Sequence, residues 1–153
     1  MIKLMELIAG RHDVKETLVL VKKIFKSYGV NPKIDFKGSI PKHGSRQNYA
    51  HYEWEDNTIW INPKLNKDKK NFLMSVIHET WHAVQAKKNG GGKKFAEKYE
   101  TEQNMIAQGH YKGKSDPYWD NKYEIEAEKV AKRDYSKWIK QVDHLLNKND
   151  KVR

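Results

Sequence analysis

Apolar residues recur at helical spacing in three stretches of this chain and three short stretches read as strands, and the order of the two patterns predicts a mixed α and β domain. Val14, Leu18, Val21, Phe25 and Tyr28 form the first stripe. Asp13 with Glu16 reads as a capping box that opens this helix, and Gly29 closes it. Residues 33–37 alternate as a short strand. Residues 38–48, with Pro41 and Gly44, read as a loop, and residues 49–54 and 58–61 as a hairpin around Glu55-Asp56-Asn57, ended by Pro63.

The second stripe, Phe72, Leu73, Val76, Ile77, Thr80, Ala83 and Val84, predicts a central helix with Asp68 as N-cap and Asn89-Gly90 as stop. Gly90-Gly91-Gly92 is then the most flexible point expected in the chain. A helix over residues 93–105 follows, then an irregular aromatic loop over 107–119. A last helix runs from about Asn121 toward Leu146, with Tyr123, Ala127, Val130, Ala131 and Trp138 as its stripe. Residues 147–153 form a polar tail expected to fray. The expectation is one α+β domain over residues 1–146, with a small antiparallel or mixed sheet, a hairpin packed on the central helix, and a C-terminal helix beside it.

Composition narrows the chemistry. The chain has 153 residues, enough for one core without staples, and no cysteine. Disulfides, thiolate nucleophiles and cysteine-based zinc modules are thereby excluded, and histidine and carboxylate remain as metal ligands. Arg11, His12 and Asp13 follow the mildly apolar start without a cleavage pattern, and no run approaches the ~18 apolar residues of a membrane span. A soluble, cytoplasmic, monomeric protein is expected. The net charge of +10 invites a nucleic-acid partner. The cations are mostly lysines scattered near predicted helix ends, such as Lys22-Lys23, Lys69-Lys70, Lys87-Lys88 and Lys93-Lys94. Only weak, non-specific nucleic-acid binding is expected.

The central helix carries His78-Glu79-Thr80-Trp81-His82. Residues four apart stack on one helix face, so His78 and His82 can grip one ion together, while Glu79 points beside it, as suits a base. The three letters would fall at this spacing by accident in roughly one shuffled chain in 45, but here they sit inside a predicted helix, where the chemistry needs them. Two histidines on an otherwise apolar helix would also make odd core residues, since both ring nitrogens need partners.

A catalytic zinc usually takes three protein ligands. The candidates for the third are His110 and the carboxylates Glu124, Glu126 and Glu128. Glu124 borders the apolar stripe of the last helix and is chosen. Glu128 stands one turn on, placed to accept the outer N–H of a ligating histidine, while Glu126 faces the wet side with Lys129 and Arg133. Asn121 and Glu124 could instead make a capping box with no metal involved. Ala127 leaves room for this helix to approach the central one.

The H-E-x-x-H pattern followed by N-x-x-E-x-E-A resembles the small zincin-like metallopeptidases of the gluzincin type. His82-Ala83-Val84-Gln85 is similar to compact relatives, among them phage-encoded proteins and the core domain of contractile injection systems, that carry a glutamine three residues after the second histidine. The resemblance covers residues 58–133. It implies a zincin-like fold, one zinc held by His78, His82 and Glu124, and Glu79 as catalytic base. Where larger gluzincins have an aspartate four residues after the ligand glutamate, this chain has Glu128. Gly92-Lys93-Lys94-Phe95 also resembles a segment of the SprT-like DNA-associated proteases, whose third ligand is a histidine. That reading would have to recruit His110.

The expected activity is zinc-dependent hydrolysis of peptide bonds in a protein or peptide substrate. The alternatives are a zincin-fold binding or inhibitory module with little turnover, or a SprT-like protease. His110, Tyr111, Tyr118 and Tyr123 are the candidate hydrogen-bond donors to an oxyanion. Thr58-Ile59-Trp60-Ile61 either pairs with an extended substrate or is a core strand.

Overall fold

A computed structural model describes residues 14–36, 49–62 and 68–150 of the chain. The Asp13 cap, the 38–48 loop, Pro63 and the last three residues lie outside them. The first stripe folds as helix α1, Val14–Ser27, which buries Leu20, Val21, Ile24 and Phe25. Gly29 follows at φ 73°, a left-handed position that ends the helix at little cost because glycine has no Cβ.

Strands β1 (Lys33–Phe36), β2 (Ala50–Glu53) and β3 (Thr58–Ile61) form one mixed sheet in the order β1-β3-β2. The β2–β3 hairpin is antiparallel, with Tyr52 opposite Ile59, and turns at Asn57, whose φ is 53°. The Tyr52 hydroxyl donates to Asn57 Oδ1 at 2.8 Å and helps hold that turn. β1 runs parallel to β3, with Ile34 opposite Ile59. The expectation that β3 could pair with an extended substrate is corrected by this arrangement. Both edges of β3 already carry ladder hydrogen bonds, to β1 and to β2, so no edge is left for a third chain. Ile59 and Ile61 are fully buried, and β3 is the core strand that its apolar content allows.

Helix α2, Lys69–Lys88, starts at Asp68, whose carboxylate accepts from the Asn71 backbone N–H at 2.8 Å. From Val76 to Ala86 it is buried on nearly every side, because α1 and the hairpin strands, α3 (Gly92–Ala107) and α4 (Lys122–Asp150) all pack on it. Phe72, Leu73, Val76 and Ile77 are fully enclosed, and each such side chain contributes about 1.5–3 kcal/mol of burial free energy. Ala83 on α2 and Ala127 and Ala131 on α4 are also buried, and their small side chains let the two helices approach closely. α3 enters at the glycine run. Gly90 and Gly91 have φ of 87° and 120°, and a Cβ on Gly92 would stand 2.5 Å from the Trp54 carbonyl oxygen. Here glycine serves a turn and a close approach to the hairpin. α4 continues past the expected end at Leu146 to Asp150. Among the described residues no helix is long and apolar enough to cross a membrane.

Candidate metal centre

His78 and His82 stand one turn apart on the middle of α2, 8% and 5% exposed, with ring centroids 5.0 Å apart at 78°. Ligand atoms of His78, Glu79 and His82 lie within 4.8 Å of one another, a buried group that could hold a metal ion. Helical spacing alone brings these three together. The rest of the site comes from α3, α4 and the loop between them.

Glu124, 4% exposed in the first turn of α4, places its carboxylate against both imidazoles. Its Oε2 is 2.8 Å from His78 Nε2 and its Oε1 is 3.1 Å from His82 Nε2. The capping-box alternative does not occur. Asn121 caps α4 with its own side chain, Oδ1 accepting from the Tyr123 N–H at 3.0 Å, while the Asn121 backbone N–H donates to the Tyr118 carbonyl. The Glu124 carboxylate is therefore free of the helix terminus and turned inward.

The outer nitrogens of both rings are held as well. His78 Nδ1 lies 3.1 Å from Glu128 Oε2, the partner expected from the turn after Glu124. His82 Nδ1 lies 2.8 Å from Gln85 Oε1. The orientation of Gln85 follows from its other contacts, because its amide nitrogen donates to the Tyr123 carbonyl at 3.0 Å and to Glu126 Oε2 at 2.7 Å. Its oxygen must then face His82 and accept, so each histidine carries its Nδ1 proton outward and aims Nε2 at Glu124. Both Nε2 atoms thus face the Glu124 carboxylate, whose charge favours a proton on each ring. The lone pair uncovered when that proton leaves is the one an ion would take.

Glu79, 6% exposed, stands beside this group, with no hydrogen bond to another described residue. Of the four expected oxyanion donors, Tyr118 lies near the centre, where the charges of Glu124 and Glu79 act on its largely buried hydroxyl. Tyr111 is turned away, donating to Glu102 Oε2 at 3.0 Å. Tyr123 contributes its carbonyl to Gln85 while its ring packs on Phe95 and Tyr99. His110 is exposed and sits 3.1 Å from Gln108 Oε1, apart from the histidine pair. Sequence reasoning missed Tyr99, whose hydroxyl donates to Glu124 Oε1 at 2.7 Å. Its signal was the four-residue step from Phe95, which puts both rings on the α3 face that meets His82.

Electrostatics follow from three buried or half-buried carboxylates around two imidazoles. Burial pushes His78 down, but hydrogen bonds to Glu124 and Glu128 and the charges of Glu79 and Glu124 outweigh it and raise it to about 10. His82 is raised too, its burial outweighed by the Glu124 charge and hydrogen bond. For Glu124, burial opposes ionisation, and the two histidines more than reverse it, holding the carboxyl well below the usual range. Burial, then the Glu124 charge, pushes the hydroxyls of Tyr99 and Tyr118 up, so both stay protonated as donors.

The chain matches no family model, no curated protein and no solved structure.

Proposed function

We propose that this chain is a zinc-dependent peptidase in which His78, His82 and Glu124 hold the ion and Glu79 is the general base. One observation carries the reading: two Nε2 atoms on α2 converge on a single carboxylate from α4, while both Nδ1 atoms are tied back by acceptors. Any buried histidine needs partners for its ring nitrogens; what points to an ion is that both Nε2 atoms share one carboxylate brought in by a second helix. Two imidazoles and one carboxylate suit zinc among the first-row metals and leave a ligand position for substrate. When bound, zinc supplies a Lewis acid that polarises a carbonyl and makes water a competent nucleophile near neutral pH.

The remaining steps belong to the side chains. Glu79 takes the proton from the attacking water and returns it to the leaving amine, a task for a buried carboxylate that hydrogen-bonds no other described residue. Tyr118, protonated and turned toward the two carboxylates, donates to the oxygen on which negative charge develops. Tyr99 keeps the Glu124 carboxylate in place. Glu128 and Gln85 fix the histidine tautomers. The SprT-like alternative loses its candidate third ligand, since His110 points to Gln108 on the surface.

Peptide-library cleavage by wild type and Glu79→Gln tests the reading. The variant should keep its fold and metal and lose at least ~100-fold in hydrolysis, the scale of a removed base. Equal turnover in both proteins would remove the mechanism. Absence of cleavage by a zinc-loaded wild type would favour a binding or inhibitory module.

A further inference from the structure

An open cavity of about 340 Å³ lies on the flank of α4, lined by Trp119, Glu124, Ile125, Glu128, Lys129 and Lys132. Its inner wall is made of the two carboxylates that hold His78, so it opens directly beside the candidate metal centre. Its outer walls are unusual for this surface. Trp119 and Ile125 are 45% and 47% exposed, two of four large apolar side chains so exposed among the described residues, and both face this one cavity. Isolated exposed apolar residues are ordinary, but two flanking one concavity beside a reactive centre suggest a seat for an apolar group.

The Trp119 wall is built rather than loose. Asp116 Oδ1 accepts from the backbone N–H of both Tyr118 and Trp119 at 2.9 Å, and Asp120 Oδ2 accepts from those of Ser115 and Asp116 at 2.8 Å. The Tyr118 and Trp119 rings meet edge to face with centroids 4.9 Å apart. This turn sends Tyr118 inward to Glu124 and Trp119 to the cavity, so consecutive residues serve the reacting centre and the adjoining seat.

Charge sets the second requirement. Lys132 Nζ is 3.7 Å from Glu128 Oε1, and Lys129 stands on the same wall one turn after Ile125. Lys132 offsets Glu128, and the Glu124 carboxylate is turned inward to both histidines. Lys129 is then a cation in surplus on the rim, complementary to an anion.

We propose that this cavity is the substrate side-chain seat of the site and that it selects peptides carrying a bulky apolar residue next to a carboxylate. The inference deepens the peptidase reading and rests on it. The carboxylate comes either from an acidic side chain or from a free chain end.

Fluorescence polarisation on the full chain carrying Glu79→Gln, with equimolar zinc, separates these cases without turnover. The probes are labelled pentapeptides ending in Phe-Asp-amide, Phe with a free carboxylate, Phe-Lys-amide and Ala-Asp-amide. At least one Phe-carboxylate peptide should bind ~10-fold or more tighter than both controls, the scale of a filled apolar pocket. Tight binding of the amide alone assigns an acidic side chain, and tight binding of the free acid alone assigns the chain end. Trp119→Ala should cost ~10-fold for the Phe peptides and leave Ala-Asp-amide unchanged. Lys129→Gln with Lys132→Gln should abolish the preference over Phe-Lys-amide. Equal binding across the set, no binding, or unaltered selectivity in these variants would overturn the proposal. Metal content read on the same samples reports separately on the peptidase reading, because loss of zinc would show there whatever the peptides do.

Discussion

Replacing Gln85 with methionine removes a hydrogen-bonding junction while keeping its length and volume. The amide is 2% exposed and makes three contacts: it accepts from His82 Nδ1 at 2.8 Å and donates to the Tyr123 carbonyl at 3.0 Å and Glu126 at 2.7 Å. Glu126 is exposed and regains water, so its loss costs little. His82 Nδ1 has no water to turn to, and a buried donor left without an acceptor costs about 1–3 kcal/mol. With the Tyr123 contact the total is about 2–4 kcal/mol of unfolding free energy. Losing the group that orients a metal-binding histidine typically weakens the metal by about 10–100-fold. Urea unfolding reads the first quantity and competition with a chromophoric zinc chelator the second. Gln85→Glu separates orientation from packing, since it keeps an acceptor for His82 but turns an acceptor toward the Tyr123 carbonyl and Glu126. That variant should keep its zinc affinity while losing stability. A methionine variant that holds zinc as tightly as wild type would refute the assigned role.

Tyr118→Phe should retain fold and zinc and lose about 100-fold in kcat with little change in KM, read by steady-state kinetics on a cleaved peptide; an unchanged kcat would return the donor role to another group. The metal-free chain should be most stable to urea between about pH 4.5 and 6.5. Above that window the raised His78 loses its stabilising contribution as pH climbs from its unfolded value of 6.5 toward about 10, and below it the lowered Glu124 and Glu128 lose theirs as pH falls under 4.5. A metal-free stability that rises from pH 7 to 9 would contradict the assigned ion cluster. Gly92→Ala forces a Cβ to within 2.5 Å of the Trp54 carbonyl oxygen and should cost about 1–3 kcal/mol in thermal or urea unfolding, with zinc content unchanged.

The parts of the centre readable from sequence are those that periodicity controls. His78, Glu79 and His82 share one helix, and their relative placement needs only the four-residue repeat. Glu124 and Glu128 were found on the inner side of α4 because the apolar stripe of that helix marks which side faces α2. Glu126 lies on the wet side as expected, yet its carboxylate reaches Gln85, since a long side chain can reach back over the edge of its helix. Tyr99 was hidden because its partner is 25 residues away and only the tertiary packing of α3 brings them together. The central position of β3 was hidden for a similar reason, since a parallel partner is set by chain crossover and leaves no local signature. The end of α4 beyond Leu146 was missed because a helix can continue through polar residues after its apolar stripe has stopped.

The central claim is that two helices hold one zinc through His78, His82 and Glu124, and elemental analysis of the purified full chain and four variants tests it most directly. The account predicts near-stoichiometric zinc in wild type and in Glu79→Gln, full retention in His110→Ala, and loss in His82→Ala and Glu124→Ala. Circular dichroism on each variant confirms that the fold persists. Wild type free of zinc after purification and zinc addition, or a folded Glu124→Ala that keeps its full complement while His110→Ala loses it, would contradict the account.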